Sequence, residues 1–198
     1  MTTFFCMRHG LTEWNSDKRI QGQKDINLSE EGREMARQWG ESLADNPFDC
    51  ILTSGLARAV QTAEIINEKL GGLPVYDDPQ LAEQDWGDWT GMTKDELNEI
   101  GKQVRTQEYK GFAFQPPNGE SRDEVLMRAC DAFLEFAEAH PSEKVLVITH
   151  NGVLKSLAYA LSGLEFMPDE VCPIEPYKVH RIESFENEIA LGEINMEL

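Results

Sequence analysis

Hydrophobic residues in this chain form short runs that are separated by longer amphipathic segments. The runs at 3–7, 50–53 and 145–149 are continuous rather than alternating, which predicts β-strands covered on both faces. Strands of that kind are typical of a parallel sheet packed between helices. The pattern therefore predicts an α/β fold of three layers, in which a mostly parallel sheet is flanked by helices.

Four amphipathic segments predict the helices of the outer layers. The clearest start is a capping box formed by Ser121 and Glu124, in which side chain and backbone satisfy each other's hydrogen bonds. A glycine pair, Gly71-Gly72, marks the clearest end. In chain order, the predicted helices cover 30–44, about 56–70, 122 to about 139, and a segment that follows Gly152 and ends near Gly163.

Two regions depart from this alternation of strands and helices. Alternating runs at 178–185 and 189–194 flank Glu186-Asn187-Glu188 and predict an antiparallel pair at the edge of the sheet, near the C-terminus. Residues 82–120 contain one short helix pattern, from Thr93, and are rich in Trp, Gly, Lys and Glu. We expect this segment to pass over one end of the sheet and to cover a site there.

Length and charge narrow the class of protein. The 198 residues, 40% of them hydrophobic, suit one domain spanning 1–198. The formal net charge of −18 argues against nucleic acid and anionic membrane surfaces as partners, because their phosphates would be repelled.

The sequence also favours a cytoplasmic location. No apolar stretch is long enough to span a bilayer, and the first strand begins too early for a signal peptide to precede it. The four cysteines are scattered without paired spacing, as is typical of a reducing compartment. The oligomeric state is left open, with a homodimer as one option.

Three strand-to-helix junctions carry basic or imidazole side chains. The first strand ends in Arg8-His9-Gly10, the second leads through Ser54 and Gly55 to Arg58, and the strand at 145–149 ends in His150. In an open α/β sheet, ligands bind beyond the carboxyl ends of the strands. The three junctions therefore converge if these strands are parallel neighbours.

Such a set of side chains suits phosphoryl transfer. An imidazole can act as the nucleophile, guanidinium groups can hold a phosphate, and helix N-termini add N–H groups. Because these groups already supply positive charge, we expect neither a metal nor a cofactor. Taken singly, Arg58 could be a solvated surface residue, His150 a turn residue and Glu83 one acid among 36. Three such junctions together favour a site.

The motifs along the chain resemble those of the histidine phosphatase superfamily, which contains cofactor-dependent phosphoglycerate mutases and many small phosphatases. They follow the family's order and cover nearly the whole chain. The matching segments are 8–15, Gln21-Gly22 with Asp25 and Leu28, 54–63, Leu81-Ala82-Glu83 with Gly87, Trp89 and Gly91, Gly119-Glu120-Ser121, and 147–150.

The resemblance implies a role for each matched side chain. Neutral His9 would attack phosphorus, and Glu83 would give a proton to the leaving oxygen and then activate water. The phosphate would be held by Arg8, Arg58 and a protonated His150, with Asn15, Gln21 and Gly22 as further substrate-binding residues. One departure is Asn151, where the family often has glycine. Asparagine tolerates left-handed backbone better than most residues, which would preserve the turn.

The predicted activity is that of a metal-independent phosphomonoester hydrolase of the histidine acid phosphatase type. Its substrate would be a small phosphorylated metabolite, and it would act through a phosphohistidine on His9. The alternative is a 2,3-bisphosphoglycerate-dependent phosphoglycerate mutase. The resemblance implies paired arginines in a longer insertion for mutases, whereas 105–118 contains only Arg105 and Lys110. A non-catalytic phospholigand-binding protein is disfavoured because both His9 and Glu83 are present.

Three smaller expectations concern the surroundings of this site. Aromatic residues of 82–120 would either line the pocket or pack the segment down; they are Trp86, Trp89, Tyr109, Phe112 and Phe114. Lys18, Arg19 and Lys24 would add local positive charge. A metal site built on all four histidines is disfavoured, because His140 belongs at a helix end and His180 is expected to be solvated in the edge pair.

Overall fold

The computed structural model describes residues 1–186 and 188–198, so the predicted turn residue Asn187 lies outside the described residues. One six-stranded sheet forms its centre, in the order β3-β2-β4-β1-β5-β6. The strands are β1 (Thr2–Arg8), β2 (Cys50–Thr53), β3 (Val75–Asp77), β4 (Lys144–Thr149), β5 (His180–Phe185) and β6 (Glu188–Leu191).

The three predicted central strands are parallel neighbours. β4 pairs with β1 on one side and with β2 on the other, and Arg8 at the end of β1 lies opposite Thr149. β5 runs antiparallel to β1, and β6 antiparallel to β5. The mostly parallel sheet with an antiparallel C-terminal edge is therefore confirmed, and the carboxyl ends of β1, β2 and β4 meet at one end of the sheet.

Helices cover both faces of this sheet. Phe4 and Val147 belong to one hydrophobic cluster with residues of the last two helices, while Ile51 and Ile148 belong to another with residues of the second and third. The helices are α1 (Glu13–Ser16), α2 (Glu30–Leu43), α3 (Ala57–Leu70), α4 (Lys94–Glu99), α5 (Gly101–Glu108), α6 (Arg122–Ala139) and α7 (Asn151–Leu161). Continuous apolar strands are required here because both faces of each central strand are buried.

Residues 82–120, called the covering segment below, cross the carboxyl end of the sheet. Trp89 and Phe114 fix the segment to the body, being 3% and 2% exposed. Neither α4 nor α5 contains a buried residue. The short helix pattern from Thr93 is confirmed by α4, whose N-cap is Thr93.

Three features differ from the expectations. β3 was not predicted, since its three residues are exposed and give no apolar signal. The short helices α1 and α5 were not predicted either. The expectation that His180 is solvated is wrong: it is 3% exposed, and its ring lies against the backbone of Asn195, in the segment that follows β6. Among the described residues, no helix has the length and apolar character needed to cross a membrane.

Candidate active site

His9 lies just beyond the end of β1 and is 2% exposed. Its Nδ1 is 2.7 Å from the carbonyl oxygen of Gly10, which can only accept, so Nδ1 carries the proton and Nε2 the lone pair. Burial lowers the pKa of His9 well below its usual range, and the charges of Arg8 and Arg58 lower it further. His9 is therefore a neutral imidazole whose Nε2 carries the lone pair that a nucleophile needs.

Arg58 lies in the first turn of α3 and is buried, so the alternative of a solvated surface residue is wrong. Its Nε donates to His9 Nε2 at 3.1 Å, and its two Nη atoms donate to the carbonyl oxygens of Lys24 and Gly22 at 2.8 Å. Burial lowers the pKa of Arg58 to about 10, which leaves the guanidinium charged at neutral pH. Asp25 accepts from the Ala57 N–H at 2.7 Å and holds the start of α3.

His150 is the N-cap residue of α7 and is fully buried beside His9, with 5.1 Å between the ring centroids. Its Nε2 lies 2.7 Å from Ser54 Oγ, and its Nδ1 has no partner among the described residues. Burial, followed by the charge of Arg58, lowers the pKa of His150 well below its usual range. His150 is therefore neutral in the free protein. The predicted protonated form concerns the state with phosphate bound, and a bound dianion would favour it.

Arg8 ends β1 and is only half-buried. Its Nη1 donates to the Tyr177 hydroxyl at 3.4 Å, and its guanidinium carbon lies 5.3 Å from the centre of that ring. The Nε of Arg8 is buried and has no hydrogen-bond partner in the described part of the chain. A buried donor of this kind is normally satisfied by water or by a bound anion.

Glu83 approaches the same place from the covering segment. Its Oε1 accepts from the backbone N–H groups of Gln84 at 2.9 Å and Gly152 at 3.0 Å, so the carboxylate lies at the N-terminus of α7. A Cβ at Gly152 would lie 2.1 Å from that oxygen, which explains the need for glycine there. Asn151 is an ordinary first residue of α7, and the left-handed backbone considered for it is not used.

The remaining predicted residues lie around these groups. Asn15 accepts from the backbone and hydroxyl of Thr12 at 2.9 and 3.0 Å and holds the loop that follows β1. Gln21 has a buried Oε1 without a partner among the residues described, and the Gly22 carbonyl accepts from Arg58. The loop between β1 and α2 thus contributes both polar atoms and the contacts that fix Arg58.

A small cavity of about 150 Å³ joins these side chains. Every predicted site residue lines it except His150, which lies behind His9. The lining residues are Arg8, His9, Asn15, Arg19, Ile20, Gln21, Gly22, Arg58, Glu83, Trp86 and Asn151. The small cavity therefore combines a neutral imidazole nucleophile, three arginines and one carboxylate.

A large cleft of about 880 Å³ adjoins the small cavity, and Ile20 and Trp86 line both. Of the other aromatic residues predicted around the site, Tyr109 and Phe114 line the large cleft. Trp89 and Phe112 do not, and Phe112 packs on Phe166 instead. The covering segment thus forms the wall of the cleft with only some of its aromatic side chains.

The other histidines are kept away from this site. His140 lies at the opposite end of the sheet, where its carbonyl accepts from Thr2 at the start of β1. His180 accepts from the Asn195 N–H through Nδ1, and burial lowers its pKa to about 4. Among residues 1–186 and 188–198, no group of three or more His, Cys, Asp or Glu side chains is placed to hold a metal ion.

Two side chains that support the site were not predicted. Arg128 pairs with Glu120 at 2.6 Å and donates to the Glu83 carbonyl at 3.3 Å. It shares a face of α6 with buried Val125 and Ala132, and an arginine on an apolar face is a signal that could have found it. Tyr177 is 169 positions from Arg8, and no local pattern indicates their contact.

The family model for branch 1 of the histidine phosphatase superfamily matches residues 4–197. The chain belongs to the histidine phosphatase superfamily, and the resemblance seen in its motifs is confirmed.

The relatives of this chain include proteins named as phosphatases and proteins named as mutases. The chain is 37% identical over 163 residues to the uncharacterized phosphatase PhoE of Bacillus subtilis, covering 82% of this chain and 79% of that protein. It is 36% identical over 169 residues to the 2,3-bisphosphoglycerate-dependent phosphoglycerate mutase of Bartonella quintana, covering 82% of each. The protein is thus an enzyme of this superfamily, a phosphatase or a mutase.

Two solved structures superpose on nearly the whole length of this chain. Bacillus stearothermophilus YhfR has a TM-score of 0.87 and 31% identity, covering 100% of this chain and 98% of that one. The mycobacterial glucosyl-3-phosphoglycerate phosphatase in complex with VO3 has a TM-score of 0.85 and 27% identity, covering 98% and 99%.

Proposed function

We propose that this protein is a metal-independent phosphomonoester hydrolase that acts on a small phosphorylated metabolite. The observation that carries the proposal is the proton position on His9: Nδ1–H is held by the Gly10 carbonyl, which leaves the Nε2 lone pair beside the Arg58 guanidinium. A neutral nucleophile next to fixed cations is what transfer of an anionic phosphoryl group requires.

In the first step of the proposed reaction, His9 Nε2 attacks phosphorus and the bond to the leaving oxygen breaks. Arg8 and Arg58 stabilise the charge on the phosphoryl oxygens, and protonated Glu83 gives its proton to the leaving oxygen. The products are a phosphohistidine, an alcohol and the Glu83 carboxylate.

In the second step, that carboxylate takes a proton from water as the water oxygen attacks phosphorus. The bond between phosphorus and Nε2 breaks, inorganic phosphate leaves, and His9 and Glu83 regain their starting states. The backbone N–H groups of Gln84 and Gly152 hold the carboxylate in place for both steps.

The alternative is a phosphoglycerate mutase, which the mutase relative favours. A mutase returns the phosphoryl group to a second hydroxyl and must keep water from the phosphohistidine. The covering segment argues against this, because α4 and α5 contain no buried residue and leave an 880 Å³ cleft beside the small cavity.

Product analysis separates the two activities. The enzyme is incubated with 3-phosphoglycerate and with an aryl phosphate, with and without a 2,3-bisphosphoglycerate primer and a chelator. We expect inorganic phosphate as the main product in every arm, and a quench in alkali should preserve a phosphohistidine. Formation of 2-phosphoglycerate faster than phosphate would establish the mutase, and loss of all activity with the chelator would overturn the metal-free mechanism.

A further inference from the structure

The large cleft differs in charge from the rest of the molecule. The whole chain carries a formal charge of −18, with 36 acidic against 18 basic residues. The cleft reverses this ratio, since four basic side chains line it, Lys94, Lys102, Arg105 and Arg122, against two acidic ones, Glu99 and Glu108.

Arg122 shows that this positive charge is built into the cleft wall. Its guanidinium carbon lies 4.3 Å from the ring centre of Phe114 and 3.9 Å from that of Phe166, and its Nη1 donates to the carbonyls of Gly111 and Phe166. It forms no salt bridge with any described residue. Burial lowers its pKa to about 10, and the charge of Glu108, which lines the same cleft, offsets only part of this change. A fixed cation that is not in a direct ion pair favours a further anion nearby.

We infer that the large cleft binds the leaving group of the substrate, and that this group has an apolar body carrying an anionic group. Trp86 lines both the small cavity and the cleft, so a phosphoryl group at His9 places the rest of its ester along Trp86 and Phe114. Lys102 and Arg105 of α5 and Arg122 of α6 then meet the anionic end. This inference rests on the proposed function, because it concerns the leaving group of that same reaction.

Pairs of phosphate esters that differ only in the charge of one substituent test the inference. 4-Carboxyphenyl phosphate is compared with 4-carbamoylphenyl phosphate, which has the same shape without the charge, and the longer biphenyl pair is measured in parallel. We expect kcat/KM to favour the carboxylate by about fivefold at low salt in at least one pair, and the preference to fall as salt rises. A third phenyl phosphate, with a phosphonate at the 4-position in place of the carboxylate, shows which of these two anionic groups the cleft prefers.

The double variant Lys102→Glu/Arg105→Glu should reverse the preference, since both side chains are exposed on α5 and the change does not affect the core. The single variant Lys102→Glu should lower the preference, and Lys110→Glu is its control with the same change of charge: it lies in the same segment, outside the cleft lining, and should leave the ratio unchanged. A ratio near one in the parent enzyme, or an equal change in Lys110→Glu, overturns the inference. If none of the esters releases phosphate, the proposed function itself fails.

A second inference rests on an unrelated observation, the backbone of Tyr177. Its φ is +59°, in the left-handed region that costs a bulky residue on the order of 1–3 kcal/mol. The ring is stacked on Trp39, with 6.2 Å between centroids. The Tyr177 hydroxyl accepts the one side-chain hydrogen bond that Arg8 makes within the described residues, at 3.4 Å. We propose that Tyr177 is a positioning residue that holds Arg8 for the phosphoryl group.

A double-mutant cycle with Arg8→Lys tests this role. Tyr177→Leu should lower kcat/KM about tenfold, equally for good and poor leaving groups, and should weaken inhibition by inorganic phosphate. In the Arg8→Lys background the same change should have less than a twofold effect, because the contact it removes is already lost. An equal effect in both backgrounds would show a general structural role and overturn the proposal.

Discussion

His9, Arg58 and His150 are each at most 2% exposed, whereas α4 and α5 of the covering segment contain no buried residue at all. His9 and His150 directly follow adjacent parallel strands, so the hydrogen bonds of the sheet fix their spacing, and Arg58 is held by the carbonyls of Gly22 and Lys24. The covering segment is held by a few anchors such as Trp89 and Phe114. The difference indicates that the sheet sets the chemistry, while the covering segment sets which ester reaches it.

The largest effect is expected where the sheet supplies the nucleophile. His9→Ala should lower turnover by about 10⁴-fold or more, because no other described side chain presents an imidazole lone pair to the small cavity. Circular dichroism and thermal unfolding should show an intact fold. Activity that survives in this variant, or label trapped on another residue, would contradict the assignment of His9.

Glu83 connects the two regions, since it belongs to the covering segment and hydrogen-bonds to α7. Glu83→Gln should reduce turnover of an alkyl phosphate by about 10²- to 10³-fold, because the poor leaving group needs a proton. With 4-nitrophenyl phosphate the first step should be affected much less, and phosphohistidine should accumulate in rapid-quench experiments. Equal losses for both esters would show that Glu83 does not act as the acid.

Acid should lower the free energy of unfolding through the buried histidines. The pKa of His180 falls from 6.5 to about 4 on folding, so the unfolded chain takes up a proton that the folded chain refuses. Above pH 6.5 this group does not reduce the free energy of unfolding. As the pH falls from 6.5 towards 4, the free energy of unfolding decreases by about 3 kcal/mol because of this group. His9 and His150 act in the same direction.

Urea unfolding between pH 7.5 and 4.5 measures this loss. His180→Gln removes the titrating group and should flatten the slope of stability against pH by about one proton. An unchanged slope in this variant would mean that His180 is already solvated or protonated in the folded state.

A substitution at Gly152 tests how strongly the activity depends on the position of the Glu83 carboxylate. Gly152→Ala should lower kcat by about 10- to 100-fold, because the added Cβ would lie 2.1 Å from Glu83 Oε1 and must displace the carboxylate. Stability should not fall to the same degree, since alanine is favoured over glycine in a helix by about 1 kcal/mol. Unfolding and kinetics measured on one preparation separate the two effects.

The smallest effect is expected in α5. Val104→Ala should change the free energy of unfolding by less than about 0.5 kcal/mol, because Val104 lies in a helix without buried residues. Val147→Ala in β4, where the side chain is fully buried, should cost about 2 kcal/mol. Similar costs at the two positions would show that the covering segment is packed as firmly as the sheet.

The difference between buried and exposed elements also explains which parts of the structure could be predicted from the sequence. β1, β2 and β4 are buried on both faces and therefore carry continuous apolar runs, and the junctions at their ends are visible from residue types alone. β3 has no such signal because its three residues are exposed. The contact between Tyr177 and Arg8 depends on how the C-terminal loop returns to β1, and nothing near either residue encodes it.

The position of β1 also has a consequence for folding. Both of its neighbours, β4 and β5, belong to the last 55 residues of the chain, although β1 begins at Thr2. During synthesis the strand that precedes the nucleophile therefore has no pairing partner until β4, which begins at Lys144, has been made. Contacts over such long sequence separations slow folding, and an apolar strand left unpaired is open to association with other chains. Among the strands of this sheet, the one that is made first is thus among the last to reach its native place.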